Sequence, residues 1–533
     1  VEATVVGATD IGLCLHRLDE STAVYLDTHT VGFSVGVKAF PNRAVLSAPR
    51  GRLFWFIPAF LSSLANSSEY VCVGKSLSVC GPNRLPSVTD RSRTRRDLLR
   101  LLGVAGAGSL AGCPGSSADP EALTPARAPT GTPTASRESQ RPQSTLRPAD
   151  ADDSDEFGES VAMSDDGTTA LIGAPADEDP NGALAGAADV FGSDTGAWSQ
   201  RAKLAAEDGD SFGAFGSSVA LSSDGTTALL GAESDDNTNG ERAGSAYVFE
   251  AQADSWTQAA TLTAADGDGG DAFGCSVALS TDGTTALVGA CEDDDPNGTL
   301  AGSVTVFDVD DGTWRQVATL VPDDGDGFDN FGASVALSAD GTTAVVGAPA
   351  DEEPNGRLSG SAYVFQRTDG SWRQGAKLAP GDGNRQDFFG QSVAVSDDAT
   401  TVLAGAYSDE AGSAYVFEAE ADSWTQRHTL TPADGEPGDF FGFDVGVTGD
   451  GATAVVGAPG GDTTSGSGSG VAYTFETGAD SWTRTAKLAV TDGESGDFFG
   501  RGVAVSDDGS AALVGAPFDT TAAGEFAGTA YVF

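Results

Sequence analysis

Oxygen-bearing side chains recur in this sequence at positions i, i+2 and i+5, the first of them seven residues ahead of a Phe-Gly dipeptide. The sets are Asp150/Asp152/Asp155, Asp266/Asp268/Asp271, Asp324/Asp326/Asp329, Asp382/Asn384/Asp387, Asp434/Glu436/Asp439 and Asp492/Glu494/Asp497. One copy departs, with Asp208 and Asp210 but Gly213. Hard cations take several oxygens on a tightly turning backbone, and intervening glycines permit that turn. Calcium is therefore the cofactor expected at Asp266, Asp268, Asp271, Asp324, Asp326, Asp329, Asp434, Glu436, Asp439, Asp492, Glu494 and Asp497. The competing expectation is that these are solvated acidic loops without a metal. Catalytic chemistry has less to draw on. His428 is the one histidine after residue 113, and neither a nucleophilic triad nor a zinc set can be built from one histidine. Carboxylate-only hydrolysis remains open to so acidic a chain, but no acid pair stands out, and the chain is not expected to be an enzyme.

The elements that must position these acids repeat. Phe-Gly occurs at 157, 215, 273, 331, 389, 441 and 499, with spacings of 58, 58, 58, 58, 52 and 58 residues. A fixed period of this size marks a repeat architecture. The clearest copy runs from Phe273 to Ser280, turns at Asp282-Gly283, continues from Thr284 to Ala290, crosses an acidic loop, then gives Ser303–Phe307, a turn at Asp310-Asp311-Gly312, and a strand from Trp314 to Leu320. That is four short strands per copy, bounded by Asp-Gly turns. The third strand (Ala246-Tyr247-Val248-Phe249 in one copy) is apolar on both alternations, so both faces must be buried. Seven copies of four strands with two buried faces predict an all-β, seven-bladed β-propeller. The last copy ends at Tyr531-Val532-Phe533 without a Trp strand, while Thr145-Leu146-Arg147-Pro148-Ala149-Asp150 matches Thr429–Asp434. An N-terminal outer strand should therefore complete the last blade, with Gln140 where Trp stands elsewhere.

Cys275 and Cys291 flank one Asp-Gly turn, and no other copy has cysteine at either place. A hairpin brings such positions opposite one another at about 4.5–5.5 Å between Cα atoms, within disulfide range. A disulfide is expected in preference to two unlinked thiols.

Phe-Gly followed by Gly-Ala-Pro (Gly173-Ala174-Pro175, Gly347-Ala348-Pro349, Gly457-Ala458-Pro459, Gly515-Ala516-Pro517) resembles the FG-GAP repeat, the unit of the integrin α-subunit propeller and of many microbial surface proteins. The resemblance implies binding, adhesion or calcium-stabilised surface display more often than catalysis. Many relatives hold calcium in the loop before the Gly-Ala-Pro strand. Here that loop is the tight Ser280–Gly283 hairpin, a departure from the family pattern. Within a blade the 4→1 and 2→3 loops emerge on one face, and they carry the acidic runs. That face is the expected partner surface, since rigid scaffolds display function on loops.

The chain has 533 residues, 78 acidic against 29 basic side chains and a formal net charge of −49. Residues 1–113 are net +4 and the remainder net −53, with lysine in the remainder only at 203, 377 and 487. Acid excess with scarce lysine resembles proteins of salt-loving (haloarchaeal) organisms, where salt screens carboxylate repulsion. So negative a chain repels phosphates, and no nucleic-acid partner is expected. No run of 18 apolar residues reads as a membrane-spanning helix.

The N-terminal part reads as an address. Arg95-Arg96, a short apolar stretch and Leu110-Ala111-Gly112-Cys113 resemble a twin-arginine export signal ending in a lipobox. The resemblance implies cleavage before Cys113 and lipid attachment to its sulfur. Four segments are expected: 1–87, a doubtful extension outside the translated protein; 88–113, signal and lipobox, with Val88 as a start; 114–143, a Pro/Ser/Thr-rich tether; and 144–533, the propeller. The expected function is a lipid-anchored surface module binding a cell-surface protein or glycan. It touches the membrane through the anchor alone, on the outer side of the cytoplasmic membrane. A structural envelope component without a ligand is the second expectation, and a carboxylate-dependent glycan-acting enzyme the third.

Overall fold

A computed structural model describes residues 140–533, apart from 179, 210, 253–254, 295, 421–422, 464–465, 479–480 and 492. It also describes the backbone of six short strands between residues 13 and 80, and the chain divides into two units at residues 129/130. In the first unit, Leu13–Cys14 pairs with Tyr70–Val73 and that with Ser78–Cys80, while Val24–Asp27, Ser34–Phe40 and Arg43–Ser47 form a second antiparallel sheet. Arg95, Arg96, Cys113 and Asp492 lie outside the described residues.

The second unit is all β: seven four-stranded antiparallel sheets, one per repeat, and a seven-bladed propeller as the sequence predicts. In blade 4 the strands are Ser334–Leu337, Thr343–Ala348, Ser361–Thr368 and Ser371–Leu378, innermost to outermost. The second strand is buried throughout and the third over its first five residues, because sheets pack on both faces. The outer strand alternates exposed and partly covered residues, as its Ser-Trp-Arg-Gln pattern requires. The Phe of each Phe-Gly is buried at an interblade seam; Phe331 meets Tyr363 and Phe365 edge-on at 5.5 and 5.9 Å.

The two glycines of the repeat have separate causes. A Cβ on Gly347 would sit 1.9 Å from the carbonyl oxygen of Gly390 in the next blade, so that approach admits no side chain. Gly283, in the Asp-Gly turn, has φ +68°, which favours glycine. Blade 5 breaks the rule with Ala399 at φ 53°.

Closure follows the expected route. Ser144–Leu146 is the outer strand of blade 7, pairing Leu146 with Ala530 and Ser144 with Val532. Backbone pairing starts slightly upstream, where Gln140 N–H donates to Lys487 O at 2.8 Å and Gln143 N–H to Val532 O at 2.7 Å. Four residues of the expected tether are thus part of the ring. Around the axis, at the tight 1→2 turns, backbone N–H groups link blade to blade: Asp165 to Ser223 O, Ser223 to Thr281 O, Thr281 to Ala339 O, Ala339 to Asp397 O and Asp397 to Gly449 O, at 2.9–3.3 Å.

Candidate functional site

The two faces of the ring are built differently. On one, the aspartate of each 1→2 turn is satisfied within its own turn: in blade 3, Asp282 accepts from Ser280 Oγ, Thr284 Oγ1 and Thr284 N–H at 2.8, 2.7 and 3.1 Å. Burial works to raise its pKa, but these donors outweigh it and hold the carboxyl below its usual range. The other face carries the 4→1 and 2→3 loops with the acid arrays.

The structure gives each member of an array its own task. The third acid folds back on its loop: Asp271 accepts from Asp268 N–H at 2.6 Å, Asp329 from Asp326 N–H at 2.8 Å and Asp439 from Glu436 N–H at 2.8 Å. Asp497 does the same with Glu494 N–H at 2.5 Å. These acids are buried, and burial pushes Asp271 and Asp329 up to about 6 despite that hydrogen bond. In three blades the first acid meets a lysine. Lys377 Nζ lies 2.8 Å from both Asp324 and Asp351, Lys203 Nζ 2.9 and 2.7 Å from Asp150 and Asp177, and Lys487 Nζ 3.0 Å from Asp434. Burial pulls Lys203 down, but the two hydrogen-bonded carboxylates overcome it and leave its pKa raised. The only three lysines of the propeller sequence therefore occupy one structural position, each as a built-in cation. Threonine stands there in the other four blades, as Thr261, Thr319, Thr429 and Thr145. Asp266, Asp268, Asp326, Glu436 and Glu494 lie in the same loops. Among the described residues no three His, Cys, Asp or Glu side chains converge as a metal-ligand set.

Blade 1 departs once more. Asp189 stands where most blades have tyrosine; it is fully buried, accepts from Gln200 Nε2 at 2.6 Å, and its Oδ2 has no partner. Burial pushes it up to about 7, against the pull of Lys203.

The axial rim of the long-loop face holds what sequence reasoning missed. The residue after each Phe-Gly lies at or just ahead of the start of the innermost strand, and it differs in every blade: Glu159, Ser217, Cys275, Ala333, Gln391, Phe443 and Arg501. The residue after each Gly-Ala is proline in four blades but Glu233, Cys291 and Tyr407 in the others. Several of these departures touch one another. Arg501 donates to Glu159 Oε1 from Nε and Nη2 at 2.9 and 2.6 Å and stacks 4.4 Å over Phe443. Tyr407 meets Phe443, Phe388 and Phe440 at 5.5, 5.4 and 5.9 Å. Cys275 and Cys291 are joined, Cα–Cα 6.4 Å, and Asn330 Nδ2 donates to Cys291 O at 3.0 Å. Burial, reinforced by Glu292, pushes Glu233 up to about 7 while Arg242 opposes. Aligning the repeats on Phe-Gly and Gly-Ala and asking which columns vary would have found this rim. His428 sits elsewhere, on the outermost strand of blade 5.

Seven segments match the model of the FG-GAP repeat family: 141–191, 198–249, 256–307, 314–365, 372–417, 424–475 and 482–533. No curated protein matches the chain. Among solved structures that match, the hydrazine synthase of Kuenenia stuttgartiensis aligns at 13% identity over 69% of this chain and 94% of its own, with a TM-score of 0.45. A likeness at that level carries no argument about function.

Proposed function

The chain belongs to the FG-GAP repeat family, and from that premise we propose that it is a binding or adhesion module of the cell surface whose long-loop face engages a partner protein or glycan. The observation that carries this reading is the contrast between framework and rim. The Phe-Gly and Gly-Ala positions scarcely change from blade to blade, whereas the residue beside them takes seven identities in seven blades. A structural ring alone asks nothing of that column; recognition of a ligand does. Export and anchoring through Arg95, Arg96 and Cys113 belong to the same proposal, supported by the signal-like sequence, and the acid excess is read as adaptation to high salt.

Calcium, on this reading, belongs to blades without the lysine. In blades 1, 4 and 6 an ammonium group already pairs with the first acid of the array, so that carboxylate is not free for a second cation. In blade 3 the position of that lysine is held by Thr319, and Asp293 adds to the charge around Asp271. There calcium would brace the loop. Titration calorimetry in molar salt should give calcium heat that Asp266→Asn removes; no heat and no change in melting would discard the metal.

The binding reading is tested by immobilising the intact chain and passing over it an envelope extract from the native organism. Retention that saturates and is competed by free propeller supports it. Retention no greater than on an unrelated acidic protein refutes it.

A further inference from the structure

Among the described residues five large apolar side chains are exposed, and four of them stand in the loops of one face: Leu184 and Phe526 in 2→3 loops, Phe212 and Phe328 in 4→1 loops. Phe212 is 62% exposed and Phe328 52%. A lone exposed apolar residue asks for no explanation, but these four share a second property. All have left-handed backbone, with φ of 54°, 57°, 75° and 79° in the order just named. Bulky residues are rare in that region, whereas glycine enters it freely. Glycine indeed holds the same places in other blades: Gly270, Gly438 and Gly496 where Phe212 and Phe328 stand, and Gly468 where Leu184 and Phe526 stand. Neither burial nor backbone geometry therefore accounts for the four side chains.

The loops display them in pairs. At the seam of blades 1 and 2, Phe212 N–H donates to Ala183 O at 2.9 Å and Ala214 N–H to Leu184 O at 3.1 Å, which sets Leu184 beside Phe212. At the seam of blades 3 and 4, Phe328 N–H donates to Thr299 O at 2.8 Å and Asn330 N–H to Leu300 O at 3.1 Å. Leu300, also left-handed at φ 54°, has its own N–H held by Asp294 at 2.7 Å. Phe526 leans on Phe518 at 5.8 Å instead. Acids surround both pairs: Glu178, Glu207 and Asp208 belong to the loops of the first seam, and Asp294, Asp323 and Asp326 to those of the second. The loops at these two seams contain no lysine or arginine, and the two lysines that reach in, Lys203 and Lys377, are each taken by two carboxylates.

We propose that the seam pairs Leu184–Phe212 and Leu300–Phe328 are anchor points for a partner protein that presents apolar side chains flanked by lysine or arginine. This rests on the binding-module reading above and selects protein over glycan as the ligand. Apolar anchors ringed by charge of one sign fit a surface that carries the other sign. In molar salt charges act only near contact, so burial of the anchors carries the affinity. The acids then set specificity, rejecting an anionic lipid surface or a second copy of this net −53 domain.

The test selects a random-sequence peptide library, displayed on phage, on the intact chain in molar salt, and titrates the most enriched peptide by calorimetry. The expected result is enrichment of sequences that combine leucine or aromatic residues with lysine or arginine, and binding weakened about tenfold or more by Phe212→Gly or by Phe328→Gly. Both variants should melt no lower than the parent, because glycine suits the left-handed backbone; a lowered melting temperature would assign the rings to packing and overturn the proposal. Val317→Ser, on the exposed outer strand of blade 3, should bind like the parent. Binding that ignores both glycine substitutions overturns the site, and enriched peptides without cations overturn the partner's charge. Self-association of the chain that Phe212→Gly abolishes gives the patch to a second copy and overturns the partner assignment. No enrichment overturns the docking inference alone, and the retention assay above then decides whether the binding module stands.

Discussion

Ring closure makes a quantitative demand on one side chain. Leu146 is 2% exposed and sits in blade 7 where Leu430, at 3%, sits in blade 5. Its neighbours are Phe157, Ile172, Leu513 and Ala530, drawn from blades 7 and 1. Leu→Ala removes three buried carbons, worth about 2.4 kcal/mol at about 0.8 per methylene, and the residual cavity brings the cost to about 3 kcal/mol. If Ser144–Leu146 closes the ring, Leu146→Ala and Leu430→Ala should destabilise alike, although one lies near the N-terminus of the domain and the other in mid-chain. Urea unfolding at fixed high salt, followed by tryptophan fluorescence, measures both. The comparison between variants matters more than either absolute value, because a ring of this size need not unfold in one step. A cost of about 3 kcal/mol for Leu430→Ala with under about 0.5 for Leu146→Ala would refute the closure argument.

Three further outcomes follow from named contacts. Ala399→Gly should stabilise blade 5 by roughly 1 kcal/mol, since the turn holds Ala at φ 53°; a loss of stability in the same urea assay would contradict this. Replacing Cys275 and Cys291 by serine should cost about 3 kcal/mol, from the chain entropy of a loop with sequence separation 16, and peptide mapping without reduction should recover the linked pair; alkylation of both cysteines would count against the link. Asp329, pushed up to about 6 by burial, binds its proton more tightly folded than unfolded, so its contribution favours folding below about pH 4 and is lost as pH rises through about 6. Asp329→Asn should therefore raise the melting temperature relative to the parent at pH 7.5, with the gap closing by about pH 4.5; a gap independent of pH would contradict the assignment.

The ring was legible because its signals are periodic. Phe-Gly spacing, Asp-Gly turns and doubly apolar third strands each repeat seven or nearly seven times, and the match of Thr145-Leu146 to Thr429-Leu430 placed the closing strand. Side-chain direction was not legible. The acid arrays looked alike as text, yet Asp271 and Asp329 turn back onto their own loops while Asp324 and Asp434 reach a lysine fifty-three residues on. Lys203, Lys377 and Lys487 stood out only as scarce, because their common place depends on strand pairing. The rim was missed for the opposite reason: Glu159, Ser217, Phe443 and Arg501 share no pattern, and only their positions beside an unchanging dipeptide connect them. Asp444 is a related departure. It replaces a repeat serine and bridges three blades, accepting from Ser392 Oγ at 2.8 Å and from Val503 N–H at 2.7 Å.

The central claim is that the long-loop face, and its axial rim above all, is where this propeller meets its partner. Hydrogen exchange of the intact chain with and without the native envelope fraction tests it most directly. The account predicts slowed exchange in the 4→1 and 2→3 loops and at the residues following Phe-Gly, with the Asp-Gly turns of the opposite face unchanged. Slowing confined to those turns or to the outer strands, or none anywhere, would contradict it.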